Sequence, residues 1–146
     1  MQQHMEVPVD IEPFDMTDYD RVYSLWERTE GVGLSPADSR ENISEYLTRN
    51  PGMSFVCRNG ERIVGTVLGG HDGRRGYIHH LAVSEEFRKG GIGSELLKAC
   101  MDSLGRSGIA KCHLFVFGDN DAGKRFWERR GWQERGDLVV FSQELG

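Results

Sequence analysis

The chain has 146 residues, 38% hydrophobic and 28% charged, with a formal net charge of -5. That length suits one domain, 1-146, built around one hydrophobic core, and the composition excludes a collagen-like or low-complexity chain. Apolar runs are far too short for a membrane-spanning helix, and the acidic balance argues against nucleic acid as a general partner.

The start, "MQQHMEVPVDIEP", has neither a basic segment nor an apolar stretch, so no secretory leader is expected and residues 1–6 read as a disordered tail. "VPVDIEPF" (7–14) reads as a first strand, and "MTDYDRVYSLWERTE" (16–30) as a helix. Thr17 is the expected N-cap, and Tyr19, Val22, Tyr23 and Trp26 fall on one face. After the loop "GVGLSPAD", a second helix is predicted over 39–52, stopped by Pro51-Gly52. "MSFVCRNGERIVGTVLGG" predicts two strands joined at Asn59-Gly60, and "YIHHLAVS" (77–84) a further strand. A helix with an apolar stripe from Ile92 to Leu104 follows. Then come a strand at "KCHLFVF" (111–117), a short helix at 121–131 closed by Gly131, and a last strand at "LVVFSQEL" (138–145). The order describes a mixed sheet flanked by helices.

Cys57, Cys100 and Cys112 form no C-x-x-C pair, and the five histidines show no metal-ligand spacing. Buried thiols in a reducing cytoplasm are expected, with no metal.

Two glycine loops compete for a phosphate. Gly118 to Lys124 has the spacing G-x-x-x-x-G-K of a P-loop, but Arg125 replaces the magnesium-binding hydroxyl, and Asp119 and Asp121 would repel a triphosphate. It reads better as a strand-to-helix turn with Asp121 near the N-cap. "EFRKGGIGSELL" (86–97) has the opposite chemistry. Its glycines let the backbone approach an anion, the free N–H groups of the helix start converge there, and Arg88 and Lys89 add positive charge.

Arg88-x-x-Gly91-x-Gly93 resembles the R/Q-x-x-G-x-G/A signature of the GNAT N-acetyltransferases. "GDNDAGKRFWERRGW" resembles the family's later motif, with Asn120, Gly123, Phe126, Gly131 and Trp132 in register, and "HLAV" and "RIVGTVLGG" agree with it. The likeness covers roughly residues 7–145 and is to a small bacterial single-domain member. It implies an α/β (α+β mixed) GNAT fold: a mostly antiparallel sheet of six to seven strands, about four helices and one splayed parallel strand pair.

The resemblance also implies a site. The diphosphate of acetyl-CoA, the co-substrate, would lie on the loop formed by Arg88, Lys89, Gly90, Gly91, Ile92, Gly93 and Ser94. The pantetheine arm would run along the preceding strand, bonded to backbone at Leu81 and Val83, with an N–H near Leu81 or Ala82 polarising the acetyl carbonyl. Asn120, Gly123 and Phe126 would contact the coenzyme.

The acceptor would be a primary amine attacking directly in a ternary complex. An alkylammonium with a pKa of about 10.4 must first lose a proton. Strict alternation puts Tyr77, His79, Leu81 and Val83 on one strand face and Ile78, His80 and Ala82 on the other; a bulge would change this. His79 is the expected base or proton relay, and Tyr77 or water would serve as acid, because Trp127 occupies the position where many members carry a tyrosine. Phe115 stands where ribosomal-protein N-terminal acetyltransferases carry glutamate, which argues against that activity. Trp26, Glu30, the "GVGLSPAD" loop, Asp72 and Trp132 are expected around the acceptor, and a homodimer is an expected assembly. The alternative is a non-catalytic module of the same fold that binds coenzyme A or a protein.

Overall fold

The computed structural model describes residues 9–146, so the predicted tail and the first two residues of the first predicted strand lie outside the described residues. The chain forms two compact units divided after Phe115.

The first unit contains a five-stranded sheet in the order β1 (Asp10–Pro13), β2 (Phe55–Asn59), β3 (Arg62–His71), β4 (Gly76–Val83) and β5 (Cys112–Leu114). The first four strands pair antiparallel, and β4 with β5 is parallel. The Asn59-Gly60 hairpin forms as its sequence predicts, with Gly60 at φ 64°, where glycine has no Cβ penalty.

Helix α1 (Tyr19–Arg28) follows a 3-10 turn, Met16–Asp18. Thr17 caps neither: Asp15 caps the 3-10 turn, its carboxylate accepting the Thr17 N–H at 3.0 Å, and Asp18 is the N-cap position of α1, without a side-chain cap bond. Helix α2 (Arg40–Arg49) starts at Ser39, whose Oγ accepts the Asn42 N–H. Val22, Leu25 and Trp26 of α1 are fully buried with Val56, Ile63, Leu68 and Ala82 of the sheet. Each buried Val, Leu or Ile side chain among them contributes about 1.5–3 kcal/mol. Helix α3 (Ile92–Arg106) covers the opposite face through Ile92, Leu96, Cys100 and Leu104.

The sheet has five strands among the described residues, not the six to seven expected. The run 138–145 forms no strand, and Leu138, Val139, Val140 and Phe141 are exposed. Apolar alternation favours an extended chain, but a strand exists only with a hydrogen-bonded neighbour. The second unit supplies one regular element, α4 (Asp121–Arg129), and no strand to pair with. The predicted strand 111–117 shortens to Cys112–Leu114 because pairing with β4 stops at Ile78 opposite Leu114.

Candidate active site on the splayed strand β4

Strand β4 carries the candidate site. Its parallel pairing ends at Ile78, yet the strand continues to Val83 alongside β3. From His79 onward, the side of β4 that faced β5 has no strand neighbour among the described residues. Register against β3 shifts in the same stretch: Leu68 lies opposite His79, but Thr66 opposite Ala82. The extra residue is a β-bulge, and His80 within it has φ 52°, a left-handed conformation uncommon outside glycine.

The bulge overturns strict alternation. Gly70 pairs with Tyr77, and a Cβ there would meet Tyr46 and Asn50 of the α2 side, so Tyr77 faces α1 and α2. Gly65 pairs with Val83, and a Cβ there would stand 2.9 Å from Leu96 of α3, so Val83 faces the other way. Ala82, in the core with α1, has joined the face of Tyr77 and His79. His80 turns to that face too: its ring packs edge-on against Trp26 of α1 at 5.0 Å, and against His79 at 6.4 Å.

The result is an aromatic wall. The His79 and Tyr77 rings are stacked at 6.3 Å, Tyr77 stacks with Phe115 at 6.3 Å, and Tyr46 meets His79 edge-on. Burial, with a smaller contribution from neighbouring His80, lowers the His79 pKa, so its imidazole is neutral near pH 7. His80 Nε2 lies 2.9 Å from the buried Asp38 carboxylate. Asp38 ends the "GVGLSPAD" loop, in a 3-10 turn, Pro36–Asp38, closed by a capping box with Ser35. The S-x-x-D spacing that makes such a box is visible in the sequence; nothing there points to His80 as its partner.

The glycine loop follows directly from β4. Arg88 Nε donates to the Val83 carbonyl at 3.0 Å, tying the loop to the strand end. Lys89 at φ 73° and Gly91 at φ 87° are both left-handed. Left-handed residues in a turn can point successive amides the same way, the arrangement from which anion-binding concavities are made. Gly91 is the N-cap of α3 and has no side chain to cap it, so the first-turn amides of Ile92, Gly93 and Ser94 are not satisfied by a cap.

The other glycine loop is occupied by its own structure. Asn120, not Asp121, is the N-cap of α4: its Oδ1 accepts the Gly123 N–H at 2.9 Å. A Cβ at Gly123 would come within 2.5 Å of that amide side chain. Phe126 lies beneath the Arg130 guanidinium, at 3.6 Å. Asp72 caps its own turn by accepting the N–H groups of Arg74 and Arg75. Glu30 is exposed, and Trp132 packs against Trp127 in the second unit. The thiols of Cys57 and Cys100 are pushed up by burial to about 11 and about 12, which leaves both protonated and poor nucleophiles. Among the described residues, no group of three or more His, Cys, Asp or Glu is placed to hold a metal ion.

A model of the acetyltransferase (GNAT) family matches residues 19–132. The chain belongs to that family. An acetyltransferase of Photorhabdus laumondii, plu1384, is 34% identical over 139 residues, covering 94% of this chain and 96% of that protein. Among solved GNAT-like structures, Ard1 from Thermoplasma volcanium superposes with a TM-score of 0.73 at 25% identity, over 84% of this chain and 81% of its own. The PaiA N-acetyltransferase of Thermoplasma acidophilum, solved in complex with coenzyme A, has a TM-score of 0.73 at 17% identity, over 86% and 90%. The protein is therefore a GNAT acetyltransferase, with a five-stranded mixed sheet and four α-helices among the described residues.

Proposed function

We propose that this acetyltransferase moves the acetyl group of acetyl-CoA to a primary amine of a small molecule or peptide, by direct attack in a ternary complex. The observation that carries this reading is the half-free strand running into a turn of uncapped amides: β4, paired with β3 but with no strand neighbour on its β5 side from His79 to Val83 among the described residues, then left-handed Lys89 and Gly91 at the start of α3. An elongated ligand with an amide-bearing arm and a diphosphate fits that donor set. The loop from Arg88 to Ser94 would hold the diphosphate, with backbone at Leu81 and Val83 holding the arm. Asn120, Gly123 and Phe126 are assigned to the coenzyme on the family motif alone.

Acetyl-CoA supplies an acyl group activated as a thioester. The chain's own contribution is orientation and proton handling. An N–H at Leu81 or Ala82 polarises the carbonyl, His79 accepts the ammonium proton, and Tyr77 stands beside it to protonate the departing sulfur. The rings of Tyr46, Tyr77, His79 and Phe115 suit a cationic amine before it loses its proton. The family match runs across residue 115, which supports one catalytic domain. A cytoplasmic enzyme without nucleic-acid or membrane partners, as a homodimer, completes the reading; three free cysteines and the net charge of -5 support the compartment and the exclusion of nucleic acid.

Mass spectrometry of the purified protein for retained acyl-CoA, followed by thiol release over a broad panel of amines, tests this. Coenzyme binding with release on at least one amine is expected. Binding without release would mark a non-catalytic coenzyme A module, and absence of binding would end the reading.

A further inference from the structure

His80 holds a backbone conformation that imidazole residues seldom adopt, at φ 52°. Several contacts hold it there. Its Nε2 meets Asp38 Oδ1 at 2.9 Å, with only 17% and 9% of the two side chains exposed. Asp38 is itself fixed twice: Oδ2 accepts the Ser35 N–H at 3.1 Å, and the Tyr19 hydroxyl donates to the Asp38 carbonyl at 2.6 Å. Trp26 closes the remaining side edge-on. A carboxylate facing Nε2 selects the tautomer with hydrogen on Nε2, which leaves the Nδ1 lone pair available. Nδ1 has no hydrogen-bond partner among the described residues.

The same bulge that strains His80 puts its ring on the face of His79. Their centroids are 6.4 Å apart. A direct N–H···N bond needs centroids within about 5.5 Å, so at 6.4 Å the pair is spaced for one bridging water. The groups facing them are Asp38 from the 3-10 turn, Tyr19 from α1 with the Arg40 guanidinium over its ring, and Tyr46 from α2.

We propose that His79, His80 and Asp38 form a proton-exit line for the acceptor amine, in which His80 receives the proton at Nδ1 and Asp38 is the positioning residue that sets its tautomer. The proposal rests on the acetyl-transfer reading and extends it past His79. An N–H bond of the ammonium breaks and one forms on His79. Through one water the proton passes to His80 Nδ1, so that both ring nitrogens of His80 carry hydrogen and the cation faces the Asp38 carboxylate. His80 then releases the proton to solvent and both histidines return to neutral; no electrons are gained or lost.

Asp38→Asn is the decisive variant. The amide can still accept the Ser35 N–H through its oxygen, but it presents N–H to His80 and reverses the tautomer. Long-range 1H–15N spectra of the full chain without ligand should show His80 protonated at Nε2 in the parent and at Nδ1 in Asp38→Asn. With the best amine of the panel, kcat near pH 7 should fall on the order of 100-fold, with KM for acetyl-CoA unchanged. The deficit should shrink towards pH 9–10, where more of the amine is already neutral. His80→Asn, which tolerates the left-handed backbone, should show the same fall with a Tm close to the parent.

Parent His80 protonated at Nδ1, or a reversed tautomer with unchanged kcat, would overturn the proposal. A fall that is flat with pH and accompanies a lower Tm would make the pair a structural brace instead. If the protein binds acetyl-CoA but acetylates no amine, the transfer reading itself fails and the exit line falls with it, whatever the tautomer.

Discussion

Gly91→Val tests the amide concavity. Gly91 sits at φ 87° and ψ 3° at the N-cap of α3, and open space surrounds the point where a Cβ would stand. Contact therefore adds nothing to the penalty, and backbone strain is all of it. Left-handed geometry costs an L-residue roughly 1–2 kcal/mol, and a β-branched side chain is a genuine outlier there. The chain should abandon the conformation and swing the amides of Ile92, Gly93 and Ser94 away from the concavity. Losing one hydrogen bond to a charged phosphate, about 1.5–3 kcal/mol, raises the Kd for coenzyme A roughly 10- to 100-fold. Titration calorimetry with coenzyme A reads this, and thermal unfolding reads the strain, expected as a Tm loss of several degrees. Gly73→Val is the control, because Gly73 has φ 92° and equally open surroundings in the β3–β4 turn. It should lose comparable stability and keep the parent Kd. Should Gly91→Val bind coenzyme A as tightly as Gly73→Val does, the loop is not the phosphate cradle.

Three further outcomes follow from the packing. Gly69→Ala drives a Cβ onto the Cys100 sulfur and to 2.5 Å from the Met53 carbonyl, so urea denaturation should show a loss of about 1–3 kcal/mol; adding Cys100→Ala should recover only part, because the carbonyl stays. Arg58 pairs at 2.7 Å with Asp18, whose side chain is 2% exposed; Arg58→Leu leaves that carboxylate buried and unpaired, at a cost of about 3–5 kcal/mol, and Asp18→Leu in the same chain should restore most of it. His79 has a folded-state pKa below the ordinary imidazole value of about 6.5, chiefly through burial. Its contribution to stability is complete above about pH 6.5 and is lost as pH falls towards the folded value, because the unfolded chain takes up the proton first. The pH-dependence of urea unfolding between about pH 8 and 5 should be shallower in His79→Gln; an identical slope would place the titrating group elsewhere.

Much of this fold follows from local chemistry. Helix α2 begins at the Ser39 cap, the Asn59-Gly60 turn pairs β2 with β3, and the α3 stripe from Ile92 to Leu104 buries as its spacing predicts. Each depends on residues a few positions apart, which is the range that sequence patterns report. The uncapped helix start in "RKGGIGSE" was legible for the same reason, since glycines precede the apolar stripe, whereas the left-handed Lys89 beside Gly91 was not.

Partners distant in the chain were decided by the tertiary structure alone. "LVVFSQEL" has the composition of a strand, but a strand is a relation between two segments, and none pairs with it among the described residues. Likewise His79 and His80 alternate only while β4 keeps perfect register; one extra residue against β3 places both on the same face. The Asp38–His80 contact joins residues 42 positions apart. Local sequence dictates where the chain can turn and which face is apolar, while register and long-range pairing arise from packing the whole sheet between its helices. That packing is what sets a histidine against a carboxylate.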